Sequence, residues 1–126
     1  MCMIEFVDDG VPGLACERHV GRARKPYRCE ECGRTISAGE AYRRTFLVWE
    51  GGAVATKTCR HCAVGQDWLN ANCGGYVVGH VAQDIAEHIG EYPALSAPLG
   101  HLLDGMKTGW DGGQAPLPES PPEVEP

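Results

Sequence analysis

Polar and apolar positions change period several times along the chain. From Tyr42 to Trp49, Tyr42, Arg44, Phe46 and Val48 alternate with Arg43, Thr45, Leu47 and Trp49, the period of two that marks a strand. Large apolar residues on both sides near its end predict cover on both faces there. Glu50-Gly51-Gly52 predicts a hairpin turn, and Ala53 to Thr58 the returning strand. Nearer the N-terminus, residues 1–8 read as a short strand, Asp8-Asp9-Gly10 as a turn and Val11-Pro12-Gly13 as a continuing loop. Residues 14–20 form a second extended piece. Arg22-Ala23-Arg24-Lys25-Pro26 is a basic arm, kept extended because proline disfavours helix in the residue before it.

Beyond Thr58 the period lengthens. Cys59 and Cys62 open a predicted helix of about twelve residues, reaching roughly Ala71, with Val64, Trp68 and Leu69 as its apolar stripe. Asn72-Cys73-Gly74-Gly75 ends it. Val77 to Ile89 predicts an amphipathic helix, with Val78, Val81, Ala82, Ile85 and Ile89 on one face and Gly90 as the C-cap. Ser96-Ala97-Pro98 starts a third, carrying Leu99, Leu102, Leu103 and Met106. From Thr108 onward apolar content falls, and Pro116, Pro118, Pro121, Pro122 and Pro126 alternate with Glu119, Glu123 and Glu125. That composition predicts a disordered acidic tail.

Candidate chemistry concentrates in the cysteines. Cys29-x2-Cys32-Gly33 is followed, 26 residues after Cys32, by Cys59-Arg60-His61-Cys62. Two C-x2-C pairs at this separation predict one tetrahedral zinc ion held by four thiolates. Gly33 suits the sharp reversal of a knuckle, in which backbone N–H groups point at sulfur. The second pair lies at a helix N-terminus, where free N–H groups and the positive dipole end favour thiolates. Four cysteines close the shell, so the zinc is expected to be structural. His61, between two ligands on a helix, should point away from the metal, satisfied or facing solvent.

Cys2, Cys16 and Cys73 lie outside this set. Cys16-x2-His19 has ligand spacing, and with Cys2 and Cys73 it offers a second site of three cysteines and one histidine. The alternative is that Cys2 and Cys73 are small buried apolar residues. His80 and His88 read as solvated or core-edge histidines.

Net charge is −6, but the two signs are segregated. Ten of the eleven Lys and Arg lie between Arg18 and Arg60, where only Glu30, Glu31, Glu40 and Glu50 oppose them. The leading expectation is a protein-binding module whose partner is an unidentified protein, with Trp49, at the hairpin tip, as contact anchor. The alternative is an anionic partner, a nucleic acid, with Arg22, Arg24, Lys25, Arg28, Arg34, Arg43, Arg44, Lys57 and Arg60 as the candidate phosphate contacts. The N-terminus has no basic n-region or apolar h-region, and no apolar run approaches the ~20 residues of a membrane span. These features predict a cytoplasmic protein with reduced, metal-bound cysteines.

Knuckle, hairpin and helix follow in the order of a treble-clef zinc finger. The expected fold is α+β: an N-terminal strand and basic arm over residues 1–26, a treble-clef zinc module over 27–71, a helical extension packed on it over 72–107 and an acidic, proline-rich disordered tail over 108–126. Several stretches resemble small, mostly uncharacterised four-cysteine zinc-binding proteins encoded by tailed phages and prophages. They are Met1-Cys2, Ala23 through Cys29, Cys32-Gly33-Arg34-Thr35-Ile36, Gly39-Glu40-x-Tyr42, Val48-Trp49-Glu50-Gly51, Lys57-Thr58-Cys59, Cys73-Gly74-Gly75 and Glu87-His88. The resemblance covers about two thirds of the chain. It implies a treble-clef module in a bacterial host and no settled activity. A protein in that setting would act by binding, as a regulator or inhibitor of a host process. A nuclease resembling the HNH type would need a histidine on the hairpin, and Tyr42–Thr58 has none. No enzyme, small-molecule substrate or membrane role is expected.

Overall fold

A computed structural model describes residues 2–7 and 11–124, and for residues 2–7, 11–15 and 49 it describes the backbone alone. Four strands, β1 (Cys2–Val7), β2 (Val11–Val20), β5 (Tyr42–Trp49) and β6 (Gly52–Cys59), form an antiparallel sheet in the order β1-β2-β5-β6. Between β2 and β5, the short strands β3 (Tyr27–Arg28) and β4 (Thr35–Ile36) pair antiparallel and frame the knuckle. Helix α1 (Arg60–Cys73) follows β6 directly, then α2 (Val81–Glu91), a 3-10 turn over Pro93–Leu95, and α3 (Ser96–Lys107). The fold is α+β, and none of its described helices is long and apolar enough to cross a membrane.

Several boundaries differ from expectation for local reasons. Val11-Pro12-Gly13 belongs to β2 rather than to a loop. Pro12 lies opposite Phe6 of β1, while pairing with β5 begins only at Gly13, so the missing proline N–H costs no bond to a second strand. The turn expected at residues 8–10 lies outside the described residues. Helix α1 runs two residues further, to Cys73, and ends on Gly74 in the left-handed conformation (φ 78°). Helix α2 starts at Val81 rather than Val77, because Gly79 (φ 88°) closes a turn in which His80 N–H donates to Val77 O. Gly90 lies inside α2, and Tyr92 is the C-cap.

The sheet has two unlike faces. On the inner face Thr45, Thr56 and Thr58 are buried, and Arg43 reaches α1. On the other face Arg44 is exposed and Phe46 is 39% exposed, so the cover expected on both sides is absent at Phe46. The core lies between α1, α2 and α3: Trp68, Leu69, Val81, Ile85, Leu99, Leu102 and Met106 are all buried. Gly65 lets α2 approach, since a Cβ there would lie 3.1 Å from Ile85 Cδ1 and 3.3 Å from Val81 Cγ1.

The largest correction concerns the C-terminal segment. Residues 108–124 pack back over α1 instead of forming a disordered tail. Trp110 is 2% exposed, Trp68 Nε1 donates to Pro122 O (3.0 Å), and Val124 N–H donates to Asn72 Oδ1 (2.8 Å). Composition alone misses this, because one tryptophan and a few backbone carbonyls supply the contacts. The indole lies over Gly105 so closely that a Cβ there would clash with Cζ3, Cε3 and Cη2 of its ring. Gly105→Ala is therefore expected to destabilise the fold by about 1–3 kcal/mol, the usual range for forced overpacking. A urea midpoint unchanged by this substitution would show that the indole is not seated there.

Candidate metal centre

The knuckle brings Cys29 and Cys32 to the N-terminus of α1, where Cys59 is the N-cap and Cys62 lies in the first turn. The four Sγ atoms all lie within 4.8 Å of one another, and Cys32 and Cys59 are 3.9 Å apart. A tetrahedral ion with ~2.3 Å metal–sulfur bonds needs sulfurs about 3.8 Å apart, so the cage has the right size. Cys29, Cys59 and Cys62 are at most 1% exposed. Soft, buried thiolates with nothing else in the shell suit zinc or another thiophilic metal, and the site could hold such an ion.

Donors surround the sulfurs. Cys59 N–H donates to Cys29 Sγ at 3.3 Å, and Trp110 Nε1–H to Cys62 Sγ at 3.3 Å. Hydrogen bonds from the neighbouring thiols, Cys32 first, lower the Cys29 pKa. Contacts from the same neighbours, Cys29 first, push the Cys62 thiol up.

Arg34 is not a surface residue. At 7% exposure it lies under Gly109 and Gly113, ion-paired with Glu40, with Nη1 donating to Thr35 O at 2.9 Å. Its guanidinium also faces Cys59, so it offsets thiolate charge instead of meeting a phosphate. His61 is buried (1% exposed) and satisfied. Its Nε2–H donates to Ala115 O at 2.7 Å, which leaves Nδ1 to face Arg34 Nη2 at 3.5 Å, and its ring stacks on Trp110. Sequence reasoning missed Trp110 and Ala115. The available signal was a tryptophan inside the glycine-rich run 109–113, where a solvated tail has no use for one.

Glu31, between the first two ligands, ties the knuckle to the helical layer. Its carboxylate accepts from Gly79 N–H (2.9 Å), Val81 N–H (3.2 Å) and Gln66 Nε2 (3.0 Å). It therefore caps α2, whose own N-cap His80 makes no side-chain bond. Burial pushes its carboxyl above the usual range, partly opposed by those donors. Glu31→Ala is expected to cost about 1–2 kcal/mol, as a lost cap does, without changing the number of zinc ions bound. Urea unfolding with metal analysis checks this; equal loss of zinc and stability would make Glu31 part of the metal site instead.

The second candidate site is not brought together. Cys16 is disulfide-bonded, which corrects the expectation of a reduced cysteine there, and it lies opposite Cys2 in the β1–β2 register. His19 is exposed on β2. Cys73, at the far end of α1, is exposed and lies 2.8 Å from His88 Nε2. Burial, then Asp84 and Glu91, push its thiol pKa up. Among the described residues, only Cys29, Cys32, Cys59 and Cys62 gather as a metal-holding group.

The basic candidates divide. Arg34 and Arg43 are engaged inside the fold, Arg43 with Asp67, Glu17 and Gln66. Arg22, Arg24, Lys25, Arg28, Arg44 and Arg60 are exposed and Lys57 half-buried, with no ion pair to a described residue. The side chain of Trp49 lies outside the described residues. The chain matches no family model, no curated protein and no solved structure.

Proposed function

We propose that this chain is a non-enzymatic binding module held together by one structural zinc ion. The observation that carries this is the closed shell of four sulfurs, with Cys29, Cys59 and Cys62 buried and Cys32 half-buried. No protein ligand position is left for water or substrate, and the neighbouring donors, Cys59 N–H and Trp110 Nε1–H, are aimed at sulfur. The order of knuckle, hairpin and α1 supports a treble-clef arrangement. The sequence resemblance supports a role in a phage-like setting, where a small module of this kind regulates a host process by binding. Among the described residues, the outer face of β2, β5 and β6, opposite the side against which α1 packs, offers an exposed surface for that purpose. Metal analysis of protein purified without added metal tests the reading. One zinc per chain, with loss of fold on chelation, is expected. A ratio near two would revive a second site, and another metal or none would overturn the proposal.

A further inference from the structure

We infer that the outer face of the sheet binds single-stranded nucleic acid, with Arg18, Arg44 and Lys57 holding phosphates and Phe46 serving as a platform for a base. This names the partner of the binding module proposed above and rests on that reading.

The register makes the case. Arg18 of β2 lies directly opposite Arg44 of β5, and Arg44 directly opposite Lys57 of β6. One cation per strand thus forms a row across three neighbouring strands, about 10 Å long at normal strand spacing. Like charges directly opposite each other destabilise a sheet, so the pairing of these cations across the strands gives the fold nothing beyond the ring contacts of Arg44 and Lys57. Nor does the protein neutralise it, since none of the three forms an ion pair with a described residue. The acids of this region go elsewhere: Glu17 and Asp67 to Arg43, Glu40 to Arg34. The C-terminal segment is held elsewhere, since its backbone and the Trp110 indole bond to His61, Cys62, Trp68 and Asn72 on α1, which packs on the inner face. Unlike the inner face, the outer face keeps uncompensated charge of one sign.

Aromatic rings lie on either side of the row. Two residues along β5 from Arg44, Phe46 is 39% exposed, with the Arg44 guanidinium 5.8 Å from its ring centre and only Ala55 opposite it on β6. On the other side, Tyr27 packs against Tyr42, with the ammonium groups of Lys57 and Lys25 at 4.9 and 5.8 Å from its ring. Cations that track a backbone, interleaved with an exposed ring on a flat sheet, suit a strand whose bases are unstacked and free to turn toward the protein. A duplex keeps its bases paired and would leave Phe46 without a role.

The test uses the full-length, zinc-loaded protein and labelled oligo-dT and oligo-U, read by fluorescence anisotropy across a salt series. A duplex of the same length and poly-glutamate serve as comparison ligands. Binding of the single strands is expected to weaken with salt, and Arg44→Ala should lower the log–log salt slope by about 0.7, one single-strand phosphate contact. Phe46→Ala should weaken single-strand binding about 5- to 150-fold, the range for one stacked base. Absence of binding at low salt would overturn the inference, as would binding unchanged by Arg44→Glu with Lys57→Glu. Equally tight duplex binding, or poly-glutamate binding insensitive to Phe46→Ala, would also overturn it, the latter assigning the face to an acidic protein. Zinc content and melting temperature are measured on the same samples. Absence of binding by the unsubstituted protein, with both intact, counts against the sheet-face inference alone. Single-strand binding through Arg44 without bound zinc would leave that inference standing and remove the structural-zinc reading.

Discussion

Stripping the proposed zinc from the purified protein with a strong chelator is expected to unfold at least residues 27–71. Far-ultraviolet circular dichroism should lose most of the α1 signal, and the cooperative thermal transition should disappear. Structural zinc contributes about 10–16 kcal/mol of apparent free energy in zinc-finger peptides. That equals or exceeds the whole stability of an ordinary small domain, about 5–15 kcal/mol. Without the ion, thiolates converging within 4.8 Å of one another repel or must be protonated. The loss should spread beyond the module. Helix α2 is capped by Glu31 of the knuckle and packs on Gly65 of α1, so both supports go together. Replacing Cys62 by serine should mimic chelation, whereas Cys73→Ser should keep full zinc content. An unchanged melting temperature after complete zinc removal would sink the structural role.

What the sequence disclosed follows from which interactions are local. The C-x2-C spacing is a local constraint, since two residues between cysteines let both sulfurs bite one ion, and the pairs do converge. Strand β5 and the hairpin were legible because alternation and a Glu-Gly turn act within a few residues. The failures lie where distant residues decide. Arg34 looks like any arginine of a basic run, and only Glu40, Cys59 and the glycines at 109 and 113 draw it inside. The start of α2 depended on Glu31, 50 residues away from Val81, which no window over residues 77–89 contains. Charge counting found the basic segment but could not divide it. The β2–β5–β6 register puts Arg18, Arg44 and Lys57 on one face and sends Arg43 to the other.

The C-terminal segment gives the sharpest contrast between composition and structure, and Trp110 decides it. Its indole is buried, stacks on His61, closes over Gly105 and donates Nε1–H to Cys62 Sγ. To place it, both Trp110 (φ 54°) and Asp111 (φ 52°) take the left-handed conformation, which costs a non-glycine residue roughly 1–2 kcal/mol. Such strain persists only where packing outweighs it. Trp110→Ala is therefore expected to cost about 3–5 kcal/mol in urea unfolding, the range for removing a large buried aromatic. Trp110→Phe separates packing from the bond to sulfur. It keeps a ring against His61 but no donor for Cys62, so stability should fall by only about 1–2 kcal/mol. Zinc should meanwhile pass to a competing chelator about 10- to 100-fold more readily, as when a metal ligand loses its supporting hydrogen bond. Ending the chain at Lys107 removes the indole and also the carbonyls of Ala115 and Pro122 that satisfy His61 and Trp68, so it should cost more than Trp110→Ala. A truncated protein that melts at the full-length temperature would mean that residues 108–124 add nothing to the core. Faster zinc transfer from Trp110→Phe at nearly unchanged stability would instead show the indole acting on the metal centre itself.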